Sequence, residues 1–294
     1  MKLGLLTRNK EAWCSKQLIK SIMKREVQPV CFQFPDLTAR VSCKPEISMN
    51  NCQNLLDELD AILVRPIGRG SLDEIIFRLD LLHRMERLGL PIVNSPSAIE
   101  KAVDKYHALA FLEEGGIPIP KTIVTENAMT ALKAFYELGS DVVVKPIFGS
   151  RGIGITRVTD AEVASRIFRT LSFFHNIIYL QEFIPHGTRD IRILVVGERA
   201  IAAMYRVALA WKTNISQGAN PVPFTPEGEL KKLAVRASKI IGCEVAGVDV
   251  MEGKNGFVIN EINSQPGFKG LQLSTGIDVS GAIIDYVLKK VACR

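Results

Sequence analysis

Aromatic residues are scarce, 7% of the 294-residue chain, and no basic stripe is interleaved with them, which argues against a stacking platform for single-stranded nucleic acid. Glycine and proline are few, 22 and 14 residues, far below the share of a collagen-like or low-complexity chain. No stretch approaches 18 consecutive apolar residues, and the apolar start over residues 1–7 is cut off by Arg8, Asn9 and Lys10. Neither a membrane partner nor a signal peptide is therefore expected, and the predicted location is cytoplasmic. The six cysteines, Cys14, Cys31, Cys43, Cys52, Cys243 and Cys293, form no C-x-x-C pair. The first four are separated by 17, 12 and 9 positions, which matches no zinc pattern, so free thiols in a reducing compartment are expected.

The composition that remains, 47% hydrophobic and 23% charged, is that of a globular protein, long enough for about two domains and able to bury roughly three quarters of its unfolded surface. Lys and Arg number 37 against 31 Asp and Glu, a net charge of +6 with a pI near 9.0. Such a balance suits nucleic acid or acidic small molecules. The densest basic cluster, Arg78, Arg84 and Arg87 with Lys101 and Lys105 beyond, is interrupted by Asp80, Glu86, Glu100 and Asp104, so no nucleic-acid partner is expected.

Periodicity divides the chain into three lobes. Over residues 1–95, short apolar runs (Leu3 to Leu6, Val30 to Phe34, Ala61 to Arg65, Pro91 to Asn94) alternate with amphipathic helices. One helix, Trp13 to Arg25, would carry Leu18, Ile19, Ile22 and Met23 on one face; the other runs from Leu72 to Leu88. This alternation predicts a parallel α/β unit. Over residues 96–185, two helices and hairpin-like strands around a glycine loop predict a small α+β layer. Over residues 186–294, strands Ile191 to Val196 and Ala200 to Val207, a helix, the hairpin Val245 to Ile262 and a last helix from Val279 are expected.

Two groups stand out chemically. The loop Gly149-Ser150-Arg151-Gly152-Ile153-Gly154, flanked by Lys145 and Arg157, leaves backbone amides open to an anion. It is no P-loop, since no Gly-Lys-Ser/Thr follows, and a plain hairpin turn would use the same glycines. The second group is Asp249, embedded in Val248, Val250 and Met251, with Glu261 and Asn263 on the partner strand. Residues two apart on a strand share a face, so Glu261 and Asn263 project together, and Asp249 can face them across the hairpin. Two carboxylates and an amide oxygen without Cys or His suit magnesium; the alternative is a solvated acidic face. Lys145, Glu182, Arg192 and Arg206 also interrupt apolar strands.

Taken in order, Lys145, the glycine loop, Gln181-Glu182-Phe183, Asp190-Ile191-Arg192, Asn214, Asp249, Glu261 and Asn263 resemble an ATP-grasp ligase. The likeness runs over nearly the whole chain and is densest at residues 190–197, 246–249 and 260–267. Within that fold the chain is similar to the RimK-like branch that adds glutamate to acidic acceptors. The resemblance implies an ATP-grasp fold behind a Rossmann-like pre-ATP-grasp α/β domain. It also implies ligation of L-glutamate to the α-carboxylate of a glutamate-ending acceptor through an acyl phosphate, with a tetrahydromethanopterin precursor as the foremost acceptor. A ribosomal protein tail, a deazaflavin coenzyme or an amino-acid carrier protein stay open as acceptors. So does a different class, a non-catalytic ATP-binding regulator.

By the same resemblance, Lys105 and Lys145 contact the ATP phosphates and the backbone of Gly149, Ser150, Arg151, Gly152, Ile153 and Gly154 closes over them. Glu182 and Phe183 hold the adenine end, Gln181 is also ATP-binding, and Asp190 with Lys212, Thr213 and Asn214 completes the nucleotide site. Asp249, Glu261 and Asn263 hold two Mg2+ ions, or Mn2+, with Glu261 bridging. Arg192 and Arg206 steady the acyl phosphate or take a substrate carboxylate. Two departures bear on the acceptor: Lys212 stands where ribosomal-tail ligases tend to carry Arg, and Ala219 where many relatives have a second glycine. The implied partners are ATP, L-glutamate and the acidic acceptor, with a homo-oligomer left open.

Overall fold

A computed structural model describes residues 1–49, 53–149 and 152–293 of the chain. Cys52 and the loop residues Ser150 and Arg151 lie outside the described residues. The first lobe contains β1 (Lys2–Leu6), β2 (Gln28–Phe32), β3 (Leu37–Ala39), β4 (Ile47–Met49), β5 (Gln53–Asn54), β6 (Ala61–Val64) and β7 (Ile92–Val93). The parallel sheet runs β2-β1-β6-β7. Its central strands are apolar throughout because both faces are covered, which is why they read as unbroken runs and not as alternation. The helix Trp13–Met23 packs Leu18 and Ile22 inward. Met23, expected on that face, is 62% exposed, because the helix ends there and the chain turns away. The helix Leu72–Arg87 starts on a capping box in which Ser71 Oγ accepts from the Glu74 N–H and Glu74 answers the Ser71 N–H. The antiparallel sheet β3-β4-β5 was not legible in the sequence, since strands of two or three residues are too short to show a period.

The second lobe is the antiparallel sheet β10-β9-β11-β8, built from β8 (Thr122–Thr125), β9 (Val142–Lys145), β10 (Thr156–Val158) and β11 (Ile178–Glu182). Alternation sorts its two faces. Val142, Val144, Ile178 and Leu180 pack with Phe135 and Phe168 from the helices Ala128–Glu137 and Ala161–Phe173. Val143, Lys145, Tyr179 and Gln181 therefore face the other way, toward the third lobe.

The third lobe is one antiparallel sheet, β14-β13-β12-β15-β16, from β12 (Arg189–Val196), β13 (Arg199–Val207), β14 (Asn220–Phe224), β15 (Val245–Gly253) and β16 (Gly256–Asn263). The strand β14 went unrecognised because it carries Pro221 and Pro223, which only an edge strand accommodates. One face of the sheet (Ile191, Ile193, Val195, Val248, Val250) is covered by the helix Gly228–Ile241. The opposite face changes character along its length. At one end Leu194, Val196, Ala202 and Val245 share a core with Leu3, Leu5 and Leu63 of the first lobe and with the helix Val279–Ala292. At the other end the same alternation presents Asp190, Arg192, Arg206 and Asp249.

The first and third lobes are stitched together by polar groups as well as by that shared core. Asn94, 1% exposed, donates Nδ2 to the carbonyls of Val245 (2.8 Å) and Ser264, and its Oδ1 accepts the N–H groups of Glu244 and Val245, each at 2.8 Å. Ser21 and Ser280 hydrogen-bond at 2.9 Å. Among the described residues no helix is long and apolar enough to cross a membrane, and the five described cysteines are free.

Candidate active site

Register places the ionic residues in rows across the third sheet. Arg206 lies opposite Asp190, and in the next row Arg192 lies opposite Asp249, which lies opposite Glu261; in the row beyond, Gly247 lies opposite Asn263. Arg206 clasps Asp190 through Nε (2.6 Å) and Nη2 (2.5 Å) and reaches Asp249 Oδ2 at 3.1 Å. Arg192 clasps Asp249 through Nε and through Nη2 (2.8 Å). Thr213 Oγ1 donates to Asp190 at 2.6 Å, tying the 211–214 loop to the sheet.

Asp190, Arg206 and Asp249 are all buried, a placement tolerable only because the charges cancel and are hydrogen-bonded. Burial pushes the Asp249 carboxyl up, but Arg192 and Arg206 outweigh it and hold it below the ordinary carboxylate range. Burial likewise pulls the Arg206 guanidinium down, and Asp249 and Asp190 more than reverse it. A Cβ on Gly247 would stand 2.8 Å from Pro266 Cβ and 3.0 Å from Arg192 Nη1, so Arg192 lies flat over this position only because it is glycine.

Glu261 shares the face with Asn263, as the sequence spacing predicts. Its carboxylate has no hydrogen bond or ion pair among the described residues. Asn263 Nδ2 donates to the Gly247 carbonyl at 3.2 Å, which leaves its Oδ1 as a free acceptor. These two hard oxygen donors fit magnesium, a cation usually held by one or two carboxylates and completed by phosphate oxygens. Asp249 faces them, but both of its oxygens are engaged by Arg192 and Arg206, so ligation by Asp249 requires it to share or exchange those contacts. No group of three His, Cys, Asp or Glu side chains close enough to hold a metal occurs among the described residues.

The second sheet brings Lys145 to this face. Its Nζ donates to Gln181 Oε1 at 2.5 Å and to Asn260 Oδ1 at 2.9 Å, and Gln181 is fixed in turn through Nε2 to Thr122 Oγ1 at 3.0 Å. Gln181 thus positions Lys145. Asn260 escaped the sequence reading for a physical reason. Asp249 pairs with Glu261 and Val250 with Ile259, so Asn260 is the extra residue of a β-bulge, and the bulge frees its side chain from the period-two pattern. Burial lowers the Lys145 pKa to about 8; Glu261 and Asp249 act in the opposite direction and Lys105 adds to the lowering. Lys105 begins the helix Lys105–Glu114 and donates to the carbonyls of Ile147 (3.3 Å) and Gly149 (3.1 Å), so it underpins the glycine loop.

In that loop Gly152 (φ 71°) and Gly154 (φ 79°) are left-handed, and Ile153 is exposed. A Cβ on Gly152 would overlap Asn214 Oδ1, so the glycine loop and the 211–214 loop touch at this residue. Gly152→Ala is expected to raise the KM for ATP about tenfold or more, since it combines backbone strain with that overlap; an unchanged KM would separate the loop from the nucleotide. Beside it, the Phe183 ring lies 3.5 Å below the Arg157 guanidinium and meets Trp211 edge-on at 5.8 Å, with Lys212 Nζ 5.4 Å from the Trp211 ring. Glu182 accepts the Lys121 N–H at 2.8 Å. Neither Arg157 nor Trp211 was assigned a role from sequence, although their aromatic and cationic types at two loop ends were the available signal.

Residues 1–99 match the family model described as the RimK PreATP-grasp domain, and residues 102–287 match the RimK-like ATP-grasp domain. The chain belongs to the RimK-like ATP-grasp family. This ATP-grasp protein is therefore an ATP-dependent ligase with a pre-ATP-grasp lobe ahead of the grasp. It is 34% identical to the tetrahydromethanopterin:alpha-L-glutamate ligase of Methanococcus maripaludis over 98% of both chains. It is 32% identical to the protein of that name from Methanosarcina acetivorans, over 97% of this chain and 98% of that one. A probable alpha-L-glutamate ligase of Rhodopirellula baltica is 30% identical, over 99% of this chain and 72% of the relative. Among solved structures, the ATP-grasp ligase PsnB complexed with minimal precursor superposes at a TM-score of 0.78 with 19% identity, covering 98% of each chain. A RimK domain protein from Sphaerobacter thermophilus superposes at 0.74 with 22% identity, over 98% of this chain and all of that one. These two establish the ATP-grasp fold of the ligase.

Proposed function

We propose that this ligase joins the amino group of L-glutamate to the α-carboxylate of a glutamate-ending acceptor, foremost a tetrahydromethanopterin precursor. The observation that carries this reading is the 32–34% identity, over 97–98% of the chain, to relatives named for that reaction. Two solvated ions do not condense in water. A carboxylate oxygen therefore first attacks the ATP γ-phosphorus and releases ADP; the amine then attacks the acyl carbon, phosphate leaves and the surplus proton passes to solvent. Such a reaction asks for phosphate clamps and charge neutralisation more than for a protein nucleophile.

The residues at hand suit those tasks. Lys145, held by Gln181 and Asn260, and Lys105, under the glycine loop, are the phosphate contacts of this reading. Gly149, Gly152 and Gly154 would form the cover, and Phe183 with Trp211 offers apolar surface to the adenine. Arg192 and Arg206, already charge-paired, steady the transferring phosphoryl group as part of a neutral array that adds no net charge to a buried site. Glu261 and Asn263, with Asp249 facing them, would hold magnesium, which supplies charge neutralisation at the phosphoryl oxygens when bound. On this reading the nucleotide sits between lobes 96–185 and 186–294.

Incubation with ATP, magnesium, L-glutamate and the tetrahydromethanopterin precursor should release ADP and give a product heavier by one glutamyl residue. Mass spectrometry of parallel reactions with a peptide tail, a deazaflavin coenzyme and a carrier protein fixes the acceptor; no mass change with any of them rejects glutamate ligation. A pH profile checks the role of Lys145. With a pKa near 8 in the free protein, Lys145 loses its charge above that pH, so ATP affinity is expected to fall about tenfold per unit from there, whereas Lys145→Met should bind weakly at every pH. A wild-type affinity that stays flat to pH 9.5 would remove Lys145 from the phosphate site.

A further inference from the structure

Arg65 is the residue that the assigned roles leave without a task. It follows β6 directly and donates its N–H to the Leu6 carbonyl at the end of β1. In the order β2-β1-β6-β7 the chain leaves β1 toward one edge and β6 toward the other, so Arg65 stands at the topological switch point. In open parallel sheets, ligands are commonly bound outside the carboxyl ends of the strands at such a point.

Here the third lobe meets the end of the sheet. Arg65 Nη2 donates to the Pro266 carbonyl at 2.9 Å, and its guanidinium carbon lies 5.7 Å from the Phe268 ring centroid. Pro266 packs on Gly247, whose other neighbour is Arg192, so one layer of residues separates Arg65 from the ionic rows.

Charge sets Arg65 apart. Arg192 and Arg206 in the ionic rows, and Arg25, which crosses from the first lobe to Asp285 of the third, are each clasped by carboxylates. Arg65 is only 6% exposed and is paired with no carboxylate; the titratable group that acts on it is the Cys14 thiol. Its Nη2 is satisfied by Pro266, while Nε and Nη1 carry no hydrogen bond among the described residues and are not fully buried. A guanidinium stays protonated in a protein, and a largely buried cation without a carboxylate is costly until something supplies one. Nε and Nη1, open side by side on one planar group, are complementary to a carboxylate.

Resting on the glutamate-ligase reading, we propose that Arg65 forms a carboxylate subsite that holds a non-reacting carboxylate of the acidic substrates. Glutamate brings two carboxylates that are not consumed, and a glutamate-ending acceptor brings at least one besides the activated group. The paired Arg192 and Arg206 leave no net charge for them.

The test compares wild type with Arg65→Lys, which keeps the charge without the planar fork, and Arg65→Met. Melting temperatures are followed during titration with L-glutamate, with the acceptor and with glutarate, a dicarboxylate that cannot be ligated, and steady-state KM values are measured alongside. The expected result is a saturable rise in wild type that is lost in Arg65→Met. The KM of the substrate docked there should rise roughly tenfold or more, less in Arg65→Lys, with the KM for ATP within about twofold. Which KM moves tells glutamate from acceptor. Unchanged KM values and unchanged shifts in Arg65→Lys, or no wild-type response to any of the three ligands, overturn the subsite. If wild type ligates nothing but glutarate stabilises it through Arg65, the subsite stands and the glutamate-ligase reading falls.

Discussion

Glu261→Gln is expected to lower ligation by about 10³-fold with no loss of melting temperature. Glu261 is the one carboxylate on the ionic face with no ion pair or hydrogen bond among the described residues, its charge bearing on Lys145 only at longer range, while Asp249 opposite is fully engaged. Removing its charge disturbs no packed contact, so the fold is indifferent. On the proposed reading, what disappears is a carboxylate that would hold magnesium, which when bound would supply several kcal/mol of transition-state charge stabilisation, and each ~1.4 kcal/mol is a factor of ten. Circular dichroism and thermal melting establish the intact fold, and ADP release measures the chemistry. Activity within tenfold of wild type would sink the metal assignment.

Asp249→Ala should behave in the opposite manner, failing first as a folded protein. Its removal leaves Arg192 with no carboxylate and the buried Arg206 with Asp190 alone. Breaking a buried pair in this way costs about 3–5 kcal/mol, which for a chain of this size lowers the melting temperature by about 10 °C. The double variant Asp249→Ala with Arg192→Met removes the stranded cation, so it is expected to recover much of the stability and none of the ligation. If Asp249→Ala melts like wild type, the ion pairs are too solvated to matter. If the double variant regains activity, Asp249 serves only to hold Arg192.

The sequence disclosed long elements and residue types but not how those residues are committed to one another. Strands such as Leu3 to Leu6 and helices such as Leu72–Arg87 are legible because apolar runs and caps leave local marks. The short β3-β4-β5 sheet and the proline-bearing β14 leave none, since tertiary pairing alone defines them. In the site, the shared face of Glu261 and Asn263 follows from spacing, and the placement of Asp249 opposite Glu261 follows from a hairpin of the expected length. That Asp249 is already saturated by two arginines does not follow, because those partners lie on β12 and β13, more than forty residues away in the chain. Asn260 and Arg65 escaped for related reasons. A bulge altered the period of the first, and the second gains its significance from a carbonyl two hundred residues further along.

The four hydrogen bonds of Asn94 have a mechanical consequence. They rivet the outer end of the parallel sheet to the head of β15, alongside a core that both lobes share, so the first and third lobes form one fixed jaw. The layer of Phe135, Val144, Phe168 and Leu180 in the second lobe contains no residue from elsewhere. That lobe meets the jaw through Tyr179, buried in the third lobe's core, and through Lys145, which donates to Asn260. On the proposed reading the nucleotide phosphates would draw on that same ammonium, so a group that ties the two sheets together is also the group offered to ATP.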